Sequence, residues 1–125
     1  MKNILFIEDD PDQIFIYEKY FSSRDKNLIL KHSSNFAETI YLLRDFKPDL
    51  ILSDILLNGE NGLDIITNIK KEKAYQQIPV IIFTNYIKKE EKERALALGV
   101  KEYVLKTEVT PGELLVLVRK VLSEG

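Results

Sequence analysis

The chain has 125 residues, of which 45% are hydrophobic and 30% charged, proportions typical of one globular domain. It contains no cysteine, which excludes disulfides and thiolate metal sites, and it has no apolar run long enough to span a membrane. Acidic residues that follow soon after Met1 argue against a signal peptide, and a formal net charge of -2 argues against direct binding to a nucleic-acid backbone.

The first apolar segment, residues 4–7, has no polar alternation and therefore predicts a buried strand. Asp10 before Pro11 predicts a helix N-cap followed by proline at the first helical position, and Gln13 completes a capping-box pattern. The helix is expected to bury a stripe formed by Ile14, Tyr17 and Phe21.

A polar segment, residues 22–27, predicts a loop, and residues 28–31 predict a second short strand. Asn35 and Glu38 repeat the cap pattern and predict a second helix that ends before Pro48. Its expected apolar side consists of Phe36, Ala37, Ile40 and Leu43.

The central segment, residues 50–52, is apolar without alternation, as in a strand that is buried on both faces of a parallel sheet. Asp54 ends this strand, and Asn58-Gly59 and Asn61-Gly62 follow as turn signals. The third helix is expected to bury Leu63, Ile66 and Ile69.

The C-terminal part repeats the alternation of strand and helix twice. Residues 80–83 predict a strand that stops at Thr84, and residues 103–105 predict a last strand that stops at Lys106. Between them, residues 88–98 predict a charged helix that ends at Gly99, with Ala95, Leu96 and Leu98 as its apolar side. A capping box from Thr110 to Glu113 starts the final helix, whose apolar stripe is Leu114, Leu117, Val118 and Val121.

Five strands that alternate with five helices predict an α/β fold with a doubly wound parallel sheet. Right-handed crossovers leave few topologies, and we expect the flavodoxin-like strand order 2-1-3-4-5. We expect residues 1–125 to form one domain.

Polar residues stand at the ends of strands 1, 3, 4 and 5, which this topology brings to one edge of the sheet: Glu8, Asp9, Asp54, Thr84 and Lys106. Ligands bind at the carboxyl edge of such sheets. Three neighbouring carboxylates repel one another unless a cation is present, and oxygen ligands without histidine or cysteine suit Mg2+. Considered alone, Asp54 is open to three interpretations: nucleophile, metal ligand or helix cap.

The order of these motifs resembles a response regulator receiver domain of two-component signalling, similar to chemotaxis regulators, over nearly the whole chain. The resemblance rests on segments 4–10, 49–54, 62–63, 79–84 and 103–106.

The resemblance implies that Asp54 accepts a phosphoryl group from a histidine kinase or a phosphotransfer protein. It implies that Mg2+ is held by Glu8, Asp9, Asp54 and the backbone carbonyl of Leu56. It further implies that two side chains, Thr84 and Lys106, contact the phosphoryl oxygens. The aromatic residue Tyr103 would change its rotamer with Thr84.

The resemblance also implies a cytoplasmic signalling phosphoacceptor rather than an enzyme. A downstream protein would dock on the face formed by helix 4, strand 5 and helix 5, and the chain would be a monomer or a phosphorylation-dependent dimer. Both a stand-alone receiver and a piece of a larger regulator remain open.

Three residues depart from the usual pattern of that family. Asn58 and Thr107 stand where proline is common, and Asn85 stands where a smaller side chain is common. We expect the Lys106–Thr107 peptide bond to be trans, because a cis bond without proline costs about 3–4 kcal/mol. Bulky Leu56 and Tyr86 lack an acid or amide that could orient water, which predicts slow self-dephosphorylation.

Two other functions remain as alternatives. A receiver-like interaction module would keep the fold without switching by phosphorylation. An aspartate-nucleophile phosphatase is less favoured, because Asp10-Pro11-Asp12 has the required spacing but belongs to a helix start.

Overall fold

The computed structural model describes residues 1–124 and contains one sheet of five parallel strands, with a helix after each strand. The strands are β1 (Lys2–Ile7), β2 (Leu28–Ser33), β3 (Leu50–Ser53), β4 (Val80–Thr84) and β5 (Glu102–Leu105). The helices are α1 (Pro11–Arg24), α2 (Phe36–Leu43), α3 (Gly62–Ile69), α4 (Lys89–Ala97) and α5 (Pro111–Glu124). The strand order β2-β1-β3-β4-β5 confirms the predicted flavodoxin-like topology.

Side chains of the buried strands alternate between two hydrophobic layers. Leu5 and Ile7 of β1 pack in the layer that includes residues of α2, α3 and α4. Ile4 and Phe6 pack in the opposite layer, with α1 and α5. Because apolar residues occupy both faces, polar chemistry is confined to the strand ends.

The predicted N-cap residues accept hydrogen bonds from amides in the first turn of three helices. The Asp10 carboxylate accepts a hydrogen bond from the Asp12 amide at 2.9 Å. Asn35 accepts from the Glu38 amide at 2.8 Å. At α5 the capping box is reciprocal, since the Thr110 amide donates to Glu113 Oε1 at 2.8 Å and the Glu113 amide to Thr110 Oγ1 at 3.1 Å.

The loop predicted for residues 22–27 begins too early, because α1 continues to Arg24. The hydroxyls of Ser22 and Ser23 donate to the carbonyls of Lys19 and Tyr20, one turn earlier in the helix, at 3.2 and 2.9 Å. These bonds satisfy the hydroxyls within the helix, so two serines do not end it.

The apolar side predicted for α2 is wrong at three of its four positions. Leu43 is buried, but Ala37 is exposed and Phe36 and Ile40 keep 38% and 41% of their surface exposed. The helix buries Thr39 instead, whose hydroxyl lies 2.7 Å from Ser33 Oγ and donates to the Asn35 carbonyl at 2.8 Å. Apolar residues of α2 occur on all faces of the helix, so the sequence pattern alone does not identify the face that is buried.

In α4, Ala95 is buried and the C-cap residue Leu98 is partly buried, but the predicted Leu96 is 61% exposed. Successive helical residues are rotated by about 100°, so burial of Ala95 turns Leu96 toward solvent. Gly99 adopts φ 79° directly after the helix, which confirms the predicted glycine stop.

A short antiparallel hairpin between β3 and α3 was not predicted. Its strands, Leu56–Leu57 and Glu60–Asn61, flank the expected turn at Asn58-Gly59. Gly59 adopts φ 79° while Asn58 does not have positive φ, a combination that fits a type II turn. Single 3-10 turns form at Lys73–Tyr75 and Lys106–Glu108. No helix in residues 1–124 combines the length and hydropathy that crossing a membrane requires.

Gly62, the first residue of α3, sets the approach of this helix to the end of β3. A Cβ atom added there would lie 1.9 Å from the backbone oxygen of Asp54. We therefore expect Gly62→Ala to lower the free energy of unfolding by about 3 kcal/mol or more, measured by urea denaturation.

Gly112→Ala in α5 is the matched control, because the atom nearest to its added Cβ is the side-chain hydroxyl of Tyr20 at 3.0 Å, followed by Thr110 Oγ1 at 3.9 Å, and no backbone atom is that close. Helix propensity favours alanine there by about 1 kcal/mol, so we expect little loss. Equal stability of the two variants would contradict the close approach at Gly62.

Candidate functional site

The ammonium of Lys106 lies between two carboxylates at the carboxyl edge of the sheet. Its Nζ donates to Glu8 Oε1 at 2.5 Å and to Asp54 Oδ2 at 2.8 Å. The three residues directly follow β1, β3 and β5. Residues separated by up to 98 positions in sequence therefore form one charged cluster, as the topology predicted.

Burial shapes the charges of this cluster. Glu8 is only 1% exposed, and this burial raises the pKa of its carboxyl group, although Lys106 acts in the opposite direction. Burial also acts to lower the pKa of Lys106, but the hydrogen bonds that its ammonium donates to Asp54 and Glu8 outweigh the effect of burial, and the pKa is raised. Lys106 therefore stays protonated as the counter-ion of two carboxylates.

Asp54 is held by backbone contacts at the end of β3. Its amide donates to the Ile7 carbonyl at 3.0 Å, and its Oδ1 accepts from the Ile55 amide at 2.7 Å. Its carboxylate reaches a cleft of about 230 Å³ that is lined by Asp54, Leu56, Thr84, Asn85, Tyr86 and Lys106. Asp54 is therefore the carboxylate of the cluster that an incoming group can reach.

Thr84 and Tyr103 are linked through Tyr86 in the segment after β4. The Tyr86 amide donates to Thr84 Oγ1 at 3.1 Å, and the Tyr103 hydroxyl donates to the Tyr86 carbonyl at 2.5 Å. Burial, with smaller effects from Glu91 and Asp54, raises the pKa of Tyr103. Tyr86 thus connects the Thr84 hydroxyl to the Tyr103 hydroxyl through two hydrogen bonds.

Asp9 points toward the hairpin instead of toward the other two carboxylates. Its Oδ2 accepts from the Asn58 amide at 2.6 Å. In the part of the chain that the structure describes, no three acidic or histidine side chains converge to hold a metal ion. The carboxylates of Glu8, Asp9 and Asp54 nevertheless offer only oxygen atoms as metal ligands, which suits Mg2+ chemically.

Two contacts at this edge were missed by sequence reasoning, because each uses a backbone amide. One is the Asn58 amide on Asp9; in the other, the Thr107 amide donates to Asn85 Oδ1 at 3.2 Å. The Asn85 contact ties the end of β4 to the turn that carries Lys106. All peptide bonds of residues 1–124 are trans, which confirms the prediction for Lys106–Thr107.

The family model of the response regulator receiver domain matches residues 4–119. The chain belongs to this family. Its fold is therefore the CheY-like receiver fold of two-component systems.

Curated relatives agree with this assignment. The response regulator protein VraR of Staphylococcus aureus is 34% identical over 104 residues, which cover 83% of this chain and 49% of the relative. VraR of Staphylococcus epidermidis is 33% identical over 104 residues, with the same coverage of 83% and 49%. The chain thus spans about half the length of the curated relatives it matches.

Solved structures show the same fold. The non-phosphorylated HemR receiver domain from Leptospira biflexa superposes with a TM-score of 0.86 at 24% identity, covering 98% of this chain and 95% of that one. The BeF3-activated receiver domain of RstA from Klebsiella pneumoniae gives 0.82 at 25% identity, with coverage of 97% and 98%. CheY4 of Vibrio cholerae gives 0.83 at 17% identity, with coverage of 97% and 98%.

Replacement of Lys106 by methionine leaves Glu8 and Asp54 without their counter-ion. Removing one partner of a buried ion pair costs about 3–5 kcal/mol, and we expect a loss near the lower limit at pH 7 without Mg2+, by urea denaturation. The loss should shrink as the pH falls, because burial raises the pKa of Glu8 and its unpaired carboxylate then takes up a proton in the folded state.

Lys120→Met is the control, since Lys120 is exposed on α5 and should tolerate the change. A Lys106→Met protein as stable as the Lys120→Met protein at pH 7 would show that the carboxylates do not depend on Lys106.

Proposed function

We propose that residues 1–125 act as a single receiver domain that accepts a phosphoryl group on Asp54 and switches a protein-interaction surface. The observation that carries this proposal is the position of Asp54, whose carboxylate reaches a cleft also lined by Thr84 and Lys106. A nucleophile, a cation and a hydroxyl then surround the volume that a phosphoryl group would occupy.

In the proposed reaction, a carboxylate oxygen of Asp54 attacks phosphorus in line with the leaving group. The bond from phosphorus to the imidazole nitrogen of a phosphohistidine breaks, its electron pair stays on the imidazole, and an acyl phosphate forms on Asp54. Lys106 leaves the carboxylate and donates to a phosphoryl oxygen, while Thr84 donates its hydroxyl to another.

Mg2+ would be held by Glu8, Asp9, Asp54 and the Leu56 carbonyl, and would neutralise charge on the phosphoryl oxygens. The all-oxygen chemistry of these donors supports this assignment. Glu8 already lies beside Asp54, since both contact the same Lys106 ammonium, so only Asp9 has to turn toward them.

The proposed switch begins when Thr84 turns its hydroxyl to the phosphoryl group and releases the Tyr86 amide. The Tyr86 carbonyl, which accepts from the Tyr103 hydroxyl, then moves, and Tyr103 changes rotamer. This would alter the face formed by α4, β5 and α5, on which a downstream protein partner would dock. A histidine kinase or phosphotransfer protein is the proposed donor, and the switched form is a monomer or a dimer.

A receiver-like interaction module is the second candidate. It is favoured by the contacts that all three carboxylates already make. Lys106 forms ion pairs with both Glu8 and Asp54, and the Asn58 amide donates to Asp9. In that case the fold would bind its partner without phosphorylation.

We expect acetyl phosphate and Mg2+ to phosphorylate the wild-type chain, with a mass gain of one phosphoryl group that hydroxylamine removes. Asp54→Asn should abolish this gain, because an amide cannot form the acyl phosphate. Leu56 and Tyr86 line the cleft without an acid or amide, and the amide oxygen of Asn85, which also lines it, already accepts from the Thr107 amide. The phosphoryl group should therefore persist long enough for mass analysis after donor removal.

Asp10→Asn is the matched control, because Asp10 lies at the same edge but caps α1, a position that asparagine also fills. This variant should be phosphorylated like the wild type. Phosphorylation that persists in Asp54→Asn would refute the assignment of the acceptor, and its absence in the wild type would favour the interaction module.

A further inference from the structure

The hairpin after β3 presents a backbone N–H to one of the proposed metal ligands. Asn58 N lies 2.6 Å from Asp9 Oδ2, and the two residues are 49 positions apart in sequence. A hydrogen bond to an ionised carboxylate is among the stronger hydrogen bonds in proteins. This contact therefore holds the Asp9 carboxylate on the hairpin side of the edge.

The second strand of the hairpin, directly after this turn, is itself anchored to two helices. Glu60 Oε1 accepts from the Phe36 amide at the start of α2 at 2.9 Å. Asn61 Nδ2 donates to Glu91 Oε2 of α4 at 3.2 Å. The Asn58 amide is thus positioned by structure outside the metal site and does not depend on a bound ion.

A metal ion at this edge has to compete with these contacts. Glu8 and Asp54 are drawn together by Lys106, whereas Asp9 is drawn away by Asn58, and within residues 1–124 no three such side chains converge. For Asp9 to join the other two carboxylates, its bond to the Asn58 amide has to open.

We propose that the Asn58 amide is a latch on Asp9, which opens when Mg2+ binds and which weakens the affinity of the site for Mg2+. This inference rests on the proposed function, because it requires the metal site at Glu8, Asp9 and Asp54. Asn58 is a positioning residue that acts through Asp9. The part that matters is its backbone N–H, since Asn58 presents that group, not its side chain, to the carboxylate.

Asn58→Pro removes the N–H while respecting the local backbone. Proline is favoured at the second position of a type II turn, and the preceding Leu57 is in a strand, which proline accepts. Asn58→Ala is the matched control, because it removes the side chain but keeps the N–H.

The first measurement is the Mg2+ dissociation constant of the three proteins, from amide shifts in a titration at constant ionic strength. We expect the wild type and Asn58→Ala to agree, and Asn58→Pro to bind Mg2+ about tenfold more tightly, which corresponds to about 1.4 kcal/mol. A thermal melt of each protein confirms that the variants are folded.

The second measurement follows hydrogen exchange of the Asn58 amide in the wild type. We expect it to be protected without Mg2+ and to exchange faster at saturating Mg2+. Equal affinities of Asn58→Pro and Asn58→Ala, or an amide that stays protected in Mg2+, would overturn the latch while leaving the metal site intact. Absence of Mg2+ binding in all three proteins would overturn both.

Discussion

The position of the Lys106 ammonium between the carboxylates of Glu8 and Asp54 is the constraint on which this site depends. The three side chains follow three different strands, so the contact forms only if the sheet has the order that brings β1, β3 and β5 to one edge. Glu8 is almost fully buried, and an unpaired carboxylate there would be costly. In the proposed reaction the same ammonium leaves the Asp54 carboxylate and binds an oxygen of the incoming phosphoryl group. One side chain therefore contributes both to the stability of the resting state and to the proposed chemistry.

Two backbone amides tune this arrangement. The Thr107 amide bonds to Asn85 and ties the Lys106 turn to the end of β4, and the Asn58 amide bonds to Asp9 and ties the hairpin to the start of α1. Proline at either position would lack the N–H. The departures from the family pattern thus supply additional contacts at the site, and the contact of the Asn58 amide favours a resting state in which the Asp9 carboxylate is already engaged.

Much of the fold could be predicted because its signals are local. Unbroken apolar segments such as residues 50–52 mark buried strands, and the cap residues Asp10, Asn35 and Thr110 mark helix starts. The buried face of α2 could not be predicted, because Phe36 and Ile40 are exposed while Thr39 is buried through hydrogen bonds that depend on tertiary structure. Of the site, the strand-end position of its side chains followed from the topology, but their pairing did not: the orientation of Asp9 depends on a hairpin amide that carries no side-chain signal.

The most direct test of the account is the backbone amide spectrum with Mg2+, before and after addition of beryllofluoride, which mimics a phosphoryl group on aspartate. We expect shifts that extend from Asp54 through Thr84 and Tyr86 to Tyr103 and α5, and that are absent in Asp54→Asn. Shifts confined to the residues around Asp54, or a spectrum unchanged by beryllofluoride, would contradict the proposal that this site switches a distant surface.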